Sequence, residues 1–176
     1  MPFDLGEVML IYHPAYDINH CIYRMLLVLE SSDIESFEWD VFRMMDYYVL
    51  FPHLLKRIDP FPTSLRAYRK ILKALPEAYE AMQNDKRIFF ELEAIQNTSI
   101  QNLMAKGLVC PETFKDRIVA RSDNEIPERI REAIKTDNTA DQEWFRCVVN
   151  ELPLIDFEGK NGLKARSQLM EYRYDG

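Results

Sequence analysis

The chain has 176 residues, 47% hydrophobic and 29% charged, with a formal net charge of −7. That length suits one domain, or one domain with an appendage, and its core should bury roughly 70% of the unfolded surface without a disulfide or metal staple. The apolar content excludes intrinsic disorder, and the acidic balance opposes a broad groove for a phosphate backbone.

Residues 7–12 form a short apolar run, either a strand or a chain tucked into the core, and His13-Pro14 breaks it. Asp17 is placed to N-cap a helix over 18–31. Ile18, Cys21, Ile22, Met25, Leu26 and Leu29 follow helical spacing there, and Leu27 and Val28 widen the stripe until the helix reads as largely buried. Ser32 and Glu35 have capping-box spacing and open a second helix through Phe37, Val41, Met44, Met45 and Tyr48, which Pro52 ends. A short turn of helix follows over 53–58, and then Asp59-Pro60-Phe61-Pro62 imposes an extended link.

A compact helix over 64–75 comes next, followed after Pro76 by a short one over 77–82. Asn84-Asp85 is a fresh start signal. Residues 86–106 read as a helix–turn–helix or one interrupted helix, punctuated by Asn97-Thr98-Ser99 and stopped by Gly107. The phrase 100–109 resembles a winged-helix recognition helix passing into a strand. Pro111 takes the first position of another helix. Residues 123–143 hold seven carboxylates against three basic side chains, with a helix over 127–135. Thr139 and Gln142 fit a further capping box ahead of Trp144, Phe145, Val148 and Val149. Beyond Leu152 the helical rhythm fades, Gly159 and Gly162 flank a turn, and 163–174 reads as a late strand or extended arm. The expected fold is mostly α: a compact helical domain over 1–152 with a few short strands and a winged-helix-like central part, then a C-terminal extended arm or strand over 153–176.

Five glycines, with no G-x-G-x-x-G or G-x-x-x-x-G-K, count against a phosphate-cradling loop. Cys21, Cys110 and Cys147 form no C-x-x-C pair and fit a reducing compartment. Asp4 and Glu7 stand where a signal peptide would carry positive charge, and no apolar run approaches the roughly 18–20 residues of a membrane span. The expectation is a cytoplasmic chain without membrane contact or cofactor.

His13, Asp17 and His20 could offer imidazole and carboxylate to a divalent metal. Pro14 separates His13 from the helix, however, and an N-capping Asp with structural histidines accounts for the same residues. No G-x-S-x-G elbow or cysteine signature occurs, so no catalytic and no metal-binding residue is assigned. The clearest charge signal is Arg66, Arg69, Lys70 and Lys73, at i, i+3, i+4 and i+7 of the helix over 64–75. They share one face with no acid between them. Like charges so spaced repel by about a few tenths of a kcal/mol per pair, which an acidic partner or a phosphate would relieve; otherwise the face is simply solvated.

Two motifs carry a family resemblance. The segment I-Y-H-P-A-Y-D-I-N-H-C-I-Y-R over 11–24 contains His13, Pro14, Asp17, His20 and Arg24, and E-Y-R-Y-D over 171–175 comprises Glu171, Tyr172, Arg173, Tyr174 and Asp175. Together they resemble the middle component of ABC-three-component systems, the small subunit of Lamassu-type bacterial anti-phage defence. The resemblance implies a non-enzymatic accessory subunit that docks near the heads of an SMC-like ABC ATPase and links it to an effector, a nuclease. The ATPase would sense DNA, so DNA would be met mainly through the complex. Two other readings stay open. One is a winged-helix DNA-binding regulator reading bases through Gln96, Asn97, Gln101 and Asn102. The other is a small cytoplasmic metal-dependent enzyme using His13, Asp17 and His20.

Overall fold

In the computed structural model, which describes residues 14–77 and 84–171, a 3-10 turn (Pro14–Tyr16) leads into α1 (Ile18–Ser31). The Asp17 carboxylate accepts the His20 N–H at 2.9 Å, as the N-cap position predicts. Cys21, Arg24 and residues 25–29 are buried, in keeping with the wide apolar stripe. The apolar run 7–12, His13, the predicted helix over 77–82 beyond Glu77, and residues 172–175 of the second motif lie outside the described residues.

The Ser32–Glu35 capping box is not formed. Ser32 instead closes α1, its N–H bonding Val28 O, while its hydroxyl donates to Val149 O at 2.6 Å and accepts from Ile34 N–H. Residues that local pattern assigns to helix form β1 (Ser36–Glu38), antiparallel to β2 (Ile118–Ala120) with Phe37 opposite Val119. Pairing with a segment some eighty residues away overrides the local helical period, because it buries Phe37 and Val119 together. Helix α2 (Trp39–Leu50) begins only after that strand and stops at Phe51, before Pro52. A 3-10 helix (Pro52–Arg57) and the cis Asp59–Pro60 peptide follow.

The helix expected over 64–75 is in two pieces, a 3-10 helix (Thr63–Tyr68) and α3 (Arg69–Ala74). Pro62 stands at the capping position and offers no side-chain acceptor; tighter 3-10 bonds then take up N–H groups that a cap would have satisfied. Residues 86–106 correct the winged-helix expectation. They lie within α4 (Asp85–Ala105), one unbroken helix capped by Asn84, whose side chain accepts the Arg87 N–H at 3.0 Å. Asn97-Thr98-Ser99 does not punctuate it: the Thr98 hydroxyl bonds back to Ala94 O, and Asn102 bonds back to Thr98 O, each at 2.9 Å. Without a turn there are no two crossed helices to enter a groove. Gly107, at φ 71°, ends α4 as expected. Its N–H reaches Met104 O and the Leu108 N–H reaches Leu103 O, both at 2.9 Å, which is the Schellman pattern.

Helix α5 (Pro111–Phe114) carries proline at its start, and Val109 bridges Arg121 on the far side of β2. Helix α6 (Glu128–Lys135) matches its expected position. The Thr139–Gln142 capping box gives way to Asp137, which caps a 3-10 turn (Asn138–Asp141) by accepting the Thr139 N–H. Helix α7 (Glu143–Arg146) then widens into a π-helical turn (Cys147–Glu151). The expected arm over 163–174 is helical through residue 171: α8 (Leu163–Ser167) and a 3-10 turn (Leu169–Glu171) bury Leu163 and Leu169 against the core. That core is centred on α1, α2 and α4, with Trp39, Phe42, Tyr47, Phe89 and Phe145 fully enclosed. Each such ring contributes about 1.5–3 kcal/mol by burial. No helix among the described residues is long and apolar enough to cross a membrane.

Candidate partner interface

Arg24, from the first family motif, points inward. Its Nε and Nη2 donate to the two Asp46 carboxylate oxygens at 2.7 and 3.2 Å, and Asp46 is only 1% exposed. Gln96 of α4 completes the network. Its Nε2 donates to Asp46 at 2.9 Å and to Arg43 O at 3.1 Å, while its Oε1 accepts from Arg43 Nε at 2.9 Å. Arg43 lies 4.6 Å above the Phe89 ring and reaches Asp40 and Glu93 at 3.6 and 3.8 Å. Burial alone would lower the Arg24 pKa; Asp46 outweighs it and holds the cation. The same burial, with the Asp46 charge beside it, pushes the Cys21 thiol up to about 12, and burial pushes Cys147 to about 12 as well. These are inert thiols, and the Asp46 oxygens are committed to internal donors. The network locks the register of α1, α2 and α4.

Asp17, Pro14, Tyr16 and Glu171, among the described motif residues, make contacts within the same scaffold. Asp17 spends its carboxylate on the cap, and His20 is exposed. Among the described residues, no three His, Cys, Asp or Glu side chains are grouped to hold a metal ion. Pro14 starts the first turn, where its carbonyl accepts from Arg24 Nη1 at 3.4 Å. Glu171 stands 3.6 Å from Lys86, and Tyr16 donates to Glu91 at 3.0 Å. The described parts of both motifs therefore pack on α4. Gln96, a candidate base-reading amide, is fully buried in the network.

The basic side chains are arranged differently. Arg66, Arg69, Lys70 and Lys73 are all exposed, as their spacing predicts, and none forms an ion pair among the described residues. Arg69 and Lys73 face a cleft of about 410 Å³ whose floor is Ile58, Phe61 and Leu72; Arg66 and Lys70 lie outside its lining. The Arg69 guanidinium sits 5.6 Å over the Phe61 ring, a cation–π contact on an apolar surface. Lys56 and Arg57 complete the rim, with Asp59 as its one carboxylate among the described residues. Lys56 bonds Glu77, and Arg57 grips both Asp85 oxygens at 2.6 Å. Sequence periodicity missed Lys56, Arg57 and Phe61 because they precede the helix and are brought to it by the 59–62 link; the adjacent Lys56-Arg57 pair was the available signal. An apolar floor beneath Arg69 and Lys73, which form no ion pair among the described residues, suits an acidic protein surface with an apolar anchor.

A family model described as ABC-three component (ABC-3C) system Middle Component 5 matches residues 10–175. Comparison with curated proteins and with solved structures finds no match. A match that spans both terminal motifs and everything between them settles the family: the chain belongs to the middle components of ABC-three-component systems.

Proposed function

We propose that this middle component is a non-catalytic subunit that links an SMC-like ABC ATPase to an effector nuclease, in the manner of the Lamassu-type systems, and meets DNA mainly through that complex in the cytoplasm. The observation that carries the reading is the set of four exposed cations beside the Phe61 cleft, none in an ion pair among the described residues, on a chain whose net charge is −7. Cations left without internal partners on an acidic protein favour an acidic partner surface and speed its capture. The buried thiols and the closed Asp46 network fit a scaffold better than a reaction centre.

The test is co-expression of the tagged chain with the ATPase and effector subunits encoded beside it. The combined Arg66→Glu, Arg69→Glu, Lys70→Glu and Lys73→Glu variant should recover one of the two subunits at least about tenfold less well, as loss of a central charge cluster does, and keep the other. Equal recovery of both would remove this face from the interface. Turnover of any substrate by the purified chain alone would end the non-catalytic reading.

A further inference from the structure

The sheet has an open side. The Trp39 N–H bonds Arg117 O at 2.8 Å on one flank of β2, and the Cys110 N–H bonds Ala120 O at 2.9 Å on the other. By the alternation of an antiparallel ladder, Phe37 is then the β1 residue turned to β2. The N–H and C=O of Ser36 and the N–H of Glu38 point the opposite way, where no strand lies among the described residues. Both residues are exposed. An unpaired edge of this kind is a template for another extended chain.

Beyond that edge lies a groove of about 260 Å³, whose opposite wall is residues 153–157. Ile34, Val41, Ile155 and Phe157 supply apolar lining, and Leu154 forms a lip that is 69% exposed, the most exposed large apolar side chain among the described residues. The charged side chains lining the groove are Glu38 and Asp156, with no cation among them. Asp33 and Glu35 stand in the approach to β1, and both are exposed. None of these four carboxylates is engaged in an ion pair among the described residues.

We propose that this groove receives an extended, Lys- or Arg-bearing segment of a protein partner, which adds to the outer edge of β1 and lodges an apolar side chain against Leu154. Charge complementarity selects the occupant. Backbone bonds to Ser36 and Glu38 set its direction, alternate side chains fill the groove, and the carboxylates meet its cations. The proposal rests on the reading of the chain as a docking subunit. It gives the molecule a second surface, acid-rimmed where the Phe61 cleft is base-rimmed, so that one chain can hold two partners of opposite charge.

Hydrogen exchange on the full chain, alone and in the purified complex, tests it. The Ser36 and Glu38 amides should exchange freely in the isolated chain and about tenfold or more slowly in the complex. Leu154→Glu, at an exposed site outside the core, should leave the urea midpoint unchanged and reduce recovery of one partner by about tenfold; Ser36→Pro, which removes an edge donor, should do the same. A complex that forms with these amides unprotected, and that Leu154→Glu leaves intact, overturns the strand-edge proposal while the docking reading stands. Edge protection that depends only on the chain's own concentration would mean a second copy occupies β1, and that also overturns it. If no complex forms at all, both readings fall.

Discussion

Asp46 shows how much of this molecule depends on single polar side chains inside an apolar core. It is held by Arg24 and Gln96, from helices before and after its own. Asp46→Ala leaves the Arg24 cation buried without its counter-charge, and should lower unfolding stability in urea by about 3–5 kcal/mol. Replacing Arg24 by Met and Asp46 by Leu together should destabilise less than Asp46→Ala, since no charge is then stranded. A second residue-scale test uses pH. The Tyr23 hydroxyl donates to Asp137 at 2.7 Å. Partial burial would raise the Asp137 pKa, and the bonds from Tyr23 and Thr139 outweigh it, leaving the carboxyl below its usual value. A depressed folded-state pKa gives stability that is fully present above the unfolded value, near about 4, and lost as pH falls through the lower folded one. The stability difference between wild type and Tyr23→Phe should therefore be constant from neutral pH to about 5 and shrink as the pH drops below about 4. The sequence placed Arg24 in a motif and Cys21 on a buried stripe; it offered no sign that Gln96, in a polar stretch of another helix, bonds Asp46 and Arg43 beside them.

Local and non-local forces divide the elements cleanly. Helix α1 and the stop at Gly107 were legible because capping and left-handed geometry are written in adjacent residues. Gly107→Ala should cost at least about 1 kcal/mol by urea unfolding, since φ is 71° and a Cβ there would come within 2.7 Å of Asn124 Nδ2. Strand β1 was illegible for the opposite reason. Phe37, Val41, Met44 and Met45 keep helical spacing, yet the first of them is captured by Val119, and no pattern within a window of ten residues announces that. The unbroken α4 is a similar case: Thr98 and Asn102 look like punctuation and instead bond back along the helix. The tail lost its helical period because its pieces are single turns, too short to display one.

At the scale of the whole molecule, the scaffold is locked by internal polar contacts while two outer surfaces keep charge that is unpaired among the described residues: Arg69 and Lys73 at the Phe61 cleft, Glu38 and Asp156 at the groove beside Leu154. The exposure of the four cations accords with their spacing, although the helix they were read from is split; the cleft beside them was not legible, because it depends on the path of residues 56–61. Contacts made through exposed charges weaken as salt shortens the screening length from about 8 Å at 0.15 M to about 3 Å at 1 M. If the Phe61 cleft docks a subunit as proposed, recovery of that subunit should accordingly fall with salt, whereas the Asp46 network should keep the fold intact. The most direct measurement is a three-subunit reconstitution in which the effector is captured on immobilised ATPase with and without this chain. Retention of the effector only when the chain is present is the predicted result; equal retention in its absence would contradict a linking role.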